Sequence, residues 1–273
     1  RAGVSPEVVN QATLRIDLLT KKISGSTTTG ESSEQSFTLA FMMSIILFTT
    51  IVAYGVNVMS SVLEEKTTRV VEVLVSSLRP FQLMLGKVLG VGAVSIFQFV
   101  IWGVSARLLF TQRAALTSRL APGDDSGAGF ALPHVSAATV VIFLVYFLGG
   151  FFFYSAMLAA VGAMSSNEQE ARQAQQPVIF LLMVAYLSIW ALSNNPQSTY
   201  AVTISILPFT SPIAMPVRWA ASSVTPMELV ASMAVLVFGI AAITWVAARI
   251  YRVGILMTGK RPSIREIVRW VRA

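Results

Sequence analysis

Residues 37–61 read FTLAFMMSIILFTTIVAYGVNVMSS, and residues 62–80 continue VLEEKTTRVVEVLVSSLRP. The first stretch has no charged residue and exceeds the roughly 20 apolar residues that a helix needs to cross the hydrocarbon core of a bilayer. The second is charged and patterned. On a helix, Glu65, Arg69 and Glu72 fall on one face at spacings of four and three, where opposite charges pair. Val71, Leu74, Val75 and Leu78 fall on another face. Pro80 is expected to end that helix. Together they predict a membrane span followed by an amphipathic helix lying at the membrane surface.

The pattern recurs along the chain. Further spans are expected at about 81–110, 135–164, 177–193 and 227–250, with Pro177 suited to a first helical turn. Between them lie a loop at 111–134 containing Pro122-Gly123-Asp124-Asp125 and His134, a polar segment at 165–176, and a stretch at 194–225 with prolines at 196, 208, 212 and 216. These read as loops. Gly149-Gly150 and Gly162 allow close helix approach or a break. Residues 23–36, rich in Ser, Thr and Gly, read as a linker.

Composition agrees. The 273 residues are 55% hydrophobic and 12% charged, with a mean hydropathy of +0.69, whereas soluble domains carry about 25% charged residues. The net charge is +7, but seven of the twenty Lys and Arg fall in the last 25 residues, from Arg249 to Arg272. That suits a basic tail beside anionic lipid better than a nucleic-acid surface. Within the tail, Ser263-Ile264-Arg265-Glu266 is a capping box, and Ile264, Ile267, Val268 and Val271 form an apolar stripe, so a basic amphipathic helix is expected. There is no cysteine and one histidine, which excludes disulfides, thiolate metal sites and two-histidine metal sites.

Five spans place the two ends on opposite sides. Segment 62–80 and the tail hold ten Lys and Arg; segments 111–134 and 194–225 hold three, Arg113, Arg119 and Arg218. The positive-inside rule therefore makes 62–80 and the tail cytoplasmic and puts residues 1–36 outside. The chain opens on Arg1 with a polar segment. The expectation is that a span and most of an extracytoplasmic domain precede it.

The 64–80 stretch, continued by Phe81-Gln82-Leu83-Met84-Leu85-Gly86-Lys87, resembles the signature of type-2 ABC transporter permeases, and most of all the sodium-extrusion, NatB-like branch. The matching positions are Glu64, Glu65, Arg69, Glu72, Leu74, Pro80, Gly86 and Lys87. Further resemblance lies in Glu168–Pro177, with Glu168, Glu170 and Arg172 as a second cytoplasmic contact, in 208–218, and in 249–262. The resemblance implies an all-α exporter membrane domain in which helix 62–79 receives the movement of a separate ATPase subunit, with a second permease subunit completing the path.

No G-x-x-x-x-G-K-[ST] occurs, because Gly86-Lys87 is followed by Val88. No cofactor is expected on this chain; ATP and magnesium belong to the partner. Polar residues inside spans, Tyr54, Asn57 and Gln98, are candidates for the transport path, since such groups are costly in lipid. Arg107 sits near the end of its span. Sodium and drug or lipid efflux both fit. The alternative class is a non-transporting membrane sensor or assembly protein. An intramembrane protease would need a constellation that this chain lacks.

Overall fold

The computed structural model of the chain describes residues 21–24, 27–68, 80–120, 136–222 and 224–254. A short antiparallel hairpin, β1 (Lys21–Ser24) with β2 (Thr27–Ser32), leads into helices. These are α1 (Ser33–Thr67), α2 (Pro80–Leu120), α3 (Ala137–Met164), α4 (Glu168–Ala174), α5 (Gln176–Leu187), α6 (Ile189–Asn194), α7 (Thr199–Ile206), α8 (Ser211–Ala221) and α9 (Pro226–Gly254). Among the described residues five helical stretches are long and apolar enough to span a membrane: 37–67, 82–105, 137–164, 168–194 and 226–254.

Helix α3 is the hub. Half of its most apolar window is buried inside the protein, against 17% for α2 and 11% for α9, which stand at the periphery. Its fullest contacts are with α1 and α9. The reason is steric. A Cβ on Gly162 would stand 2.5 Å from the Met59 carbonyl oxygen of α1, so the two backbones touch there. A Cβ on Gly150 would meet Pro212 of α8 and Ile51 of α1 at 2.6 and 2.8 Å. Small residues in membrane helices permit this close packing, which replaces the hydrophobic drive available in water. The glycines of α3 thus bring helices together without breaking α3.

Several expectations are corrected. The segment read as a linker at 23–36 carries the two strands and the start of α1; Thr27-Thr28-Thr29 are β-branched and suit a strand. The first span does not stop at Ser61. It runs on through Thr67, so Glu64, Glu65 and Lys66 extend that helix instead of opening a separate surface helix. Pro80 opens α2, where its missing N–H costs nothing, and the helix expected just before it, over 69–79, lies outside the described residues. Helix α2 continues into the expected loop as far as Leu120. The fourth crossing begins already at Glu168 and changes helix at Gln175 and Ser188. Residues 194–225 are no open loop: α7 and α8 fold into the protein, and Ser211 to Arg218 are all buried. Pro212 occupies the first turn of α8 and Pro216 its interior. Arg69, Glu72, Leu74, the 111–134 turn beyond Leu120 with Asp124, Asp125 and His134, and the basic tail lie outside the described residues.

Candidate functional site

At one end of the bundle, α1 finishes with Glu64-Glu65-Lys66 and α2 opens with Lys87 on its second turn. Lys87 Nζ lies 2.6 Å from Glu65 Oε2 and donates to the Ser61 carbonyl at 2.8 Å. The pair clamps the start of α2 to the end of α1. The next residue, Lys66, turns the other way. It is 6% exposed, and its Nζ donates at 2.6 Å to the carbonyl of Ala163 in the last turn of α3. A helix C-terminus carries unpaired carbonyls and partial negative charge, so an ammonium is well placed there. Consecutive residues thereby tie α1 to two different helices.

Helix α4 completes the junction. Asn167 caps it by accepting from the Glu170 N–H at 2.9 Å, while Glu170 Oε2 accepts from the Ser166 N–H at 3.0 Å. Glu170 is near enough to Lys66 to act on it electrostatically. Glu168 and Arg172 face outward as an exposed pair 3.5 Å apart. The end of α9 closes against the same spot, where a Cβ on Gly254 would stand 3.0 Å from the Ala163 carbonyl oxygen.

Glu64 is exposed, and so is Gly86, whose added Cβ would meet nothing within 4 Å. Of the sequence-derived coupling residues, Glu64, Glu65, Gly86 and Lys87 therefore gather at this junction, together with Glu168, Glu170 and Arg172 of the second contact. Lys66 was not singled out by its sequence; its position beside two glutamates in the last turn of an apolar helix is the signal that marks it. The three path candidates are more scattered. Tyr54 is half-buried with its ring edge-on to Phe151, centroids 6.5 Å apart, Asn57 is exposed on α1, and Gln98 is half-buried on α2.

A second polar centre lies at the opposite end. Arg218 of α8 is completely buried. Its Nε donates to the Pro196 carbonyl at 2.5 Å, Nη1 to Ser205 Oγ at 3.2 Å and Nη2 to Gln197 Oε1 at 3.3 Å. Nη2 also stands 2.7 Å from Glu228 Oε2 in the first turn of α9. The Ser232 hydroxyl of α9 donates to the Ser205 carbonyl at 2.6 Å. This network pins α7 and α8 onto α9. Sequence reasoning counted Arg218 as a loop charge. The available signal was a lone arginine inside the apolar run 212–221, with a glutamate ten residues on.

Glu228 and Tyr251 mark the two ends of α9, about 35 Å apart at the usual helical rise. The polar groups thus form two centres separated by the thickness of a bilayer, with an apolar bundle between them. Among the described residues no group of three or more His, Asp or Glu could hold a metal.

A sequence model of the ABC-2 family transporter proteins matches residues 4–249. The chain belongs to the ABC-2 transporter family. It is a multi-pass membrane protein, and the family is a membrane transport component. This ABC-2 chain is similar to the uncharacterised protein YhaP of Bacillus subtilis, 26% identical over 267 residues, which covers 97% of the chain and 62% of the relative. It is also similar to the uncharacterised protein MJ1024 of Methanocaldococcus jannaschii, 25% identical over 224 residues, covering 82% of the chain and 51% of that relative. The chain therefore spans between half and two thirds of the length of these relatives. No solved structure matches it.

Proposed function

We propose that this ABC-2 chain is the membrane permease part of an ATP-driven exporter. A separate ATPase subunit with its ATP and magnesium docks at the α1–α2 junction, and a second permease subunit completes the path. The observation that carries the proposal is the junction itself. Glu65–Lys87 and Lys66–Ala163 lock three spans together at the point where the amphipathic stretch of sequence 68–79 follows α1. A push on that segment is delivered to α1, α2 and α3 at once. Rigid-body rearrangement of packed helices is an established way for such a push to open a path.

Orientation follows from charge. With Arg218 and Lys66 both buried and bonded, the contrast between segments on the two sides becomes nine against two Lys and Arg. This supports a cytoplasmic junction and tail with residues 1–36 outside. The sodium-extrusion branch is the reading closest to the 64–87 signature, with drug or lipid efflux as the other substrate class. ATP-driven sodium uptake into inverted vesicles distinguishes the two.

The deciding experiment is affinity purification of the full-length protein from its own membrane, with co-eluting chains identified by mass spectrometry. A stoichiometric P-loop ATPase is expected. Glu65→Lys should release it, and the charge swap Glu65→Lys with Lys87→Glu should recover much of the association, because the clamp is re-formed with its signs exchanged. Absence of any ATPase in mild detergent sinks the proposal and favours a membrane sensor or assembly protein.

A further inference from the structure

A groove of about 680 Å³ runs between α2, α3 and α9. Its walls are apolar, with Val88, Phe152 and Ile240 among them, until it reaches Trp245, Arg249 and Arg252 at one end. We propose that this groove holds an acyl chain of an acidic phospholipid whose phosphate rests on Arg249 and Arg252.

The groove opens between the two peripheral spans, which bury least of their apolar surface within the protein. Apolar surface left uncovered on such peripheral helices is available to an acyl chain. The volume is within the roughly 300–1,000 Å³ range of sites that enclose most of a small ligand. The two arginines are three residues apart on α9 and so share a face, with Arg252 in the last turn before the helix end at Gly254. Trp245 is half-exposed, and the Arg249 guanidinium lies over its ring, 4.2 Å from the centroid. Tryptophan with arginine is the pairing found where hydrocarbon gives way to headgroups.

Among the described residues the groove's charge is of one sign: both charged residues in its lining are arginines, with no acidic side chain. Basic pockets between membrane helices select anionic headgroups for this reason. The internal comparison is a second apolar groove of about 560 Å³ between α1, α2 and α3, which among the described residues has one basic side chain, Arg107. It lacks the paired cations and is expected to take lipid without headgroup preference.

Neither arginine is among the residues assigned to the ATPase contact, and binding of lipid here is read without an ATPase present. The test uses the full-length protein in nanodiscs of equal phosphatidylglycerol and phosphatidylcholine, with the lipids retained on release counted by native mass spectrometry. Phosphatidylglycerol should be retained in preference, and Arg249→Gln and Arg252→Gln should each weaken that preference by roughly fivefold. A second measurement needs no arginine variant. Phosphatidylglycerol brominated on its acyl chains should quench tryptophan fluorescence more than brominated phosphatidylcholine does, and Trp245→Phe should remove the difference. Equal retention of the two lipids, a preference that survives the double arginine variant, or equal quenching by the two brominated lipids overturns the proposal. So does an absence of quenching at Trp245, which would mean that protein covers the groove.

Discussion

A guanidinium with no solvent exposure is tolerable only while its charge is balanced and its donors are occupied. Arg218 meets both conditions through Glu228 and three neutral acceptors on the 196–205 segment. Glu228→Gln keeps the shape and removes the charge. It should lower the stability of the full-length protein by about 3 kcal/mol, the lower end of the cost of stranding one partner of a buried pair. Thermal unfolding in detergent reads this directly. Combining it with Arg218→Met removes the stranded charge, so the double variant should be more stable than the sum of the single losses predicts. An additive double variant would show that the pair does not couple α8 to α9.

At the scale of elements, the apolar spans were legible from the sequence, because a run such as 37–61 leaves the backbone no solution in lipid except a helix. The helix ends were not. Charge marked Glu64 as outside the span, yet α1 carries it onward to Thr67, since Lys87 and the Ala163 carbonyl supply partners that no local pattern reveals. Segment 194–225 misled through its prolines. Pro216 sits inside α8, which is enclosed by neighbours that can satisfy the freed backbone. Glycine carried a message that could be half read. Gly162 was expected to mark close approach or a break, and the structure chooses approach. Gly162→Ala should cost about 1–3 kcal/mol by forcing α1 and α3 apart at Met59. Gly86→Ala meets open space and should leave thermal stability unchanged or slightly higher. If it nevertheless weakens ATPase co-purification, the reason for a glycine there lies in another chain.

For the whole molecule, the two polar centres at opposite ends of the bundle give a direct test of orientation. These 273 residues contain no cysteine, so each introduced cysteine is read against the labelling of the parent protein. Thr67→Cys and Gln169→Cys stand exposed beside the junction, and Thr199→Cys stands exposed at the start of α7. A membrane-impermeant maleimide added to intact cells should label only Thr199→Cys, and inverted vesicles should show the reverse. Labelling of all three from one side would discard the five-crossing arrangement.

The Arg218 network also has an order in time. Its acceptors at 196–205 leave the ribosome before the arginine does, but the balancing carboxylate of Glu228 comes after it, on α9. While α9 is still being made, α8 is an apolar segment bearing an uncompensated cation, suited neither to water nor to lipid. Its burial therefore waits for the insertion of α9, and a nascent chain that stops short of Pro226 presents quality-control proteases with an exposed, half-finished end.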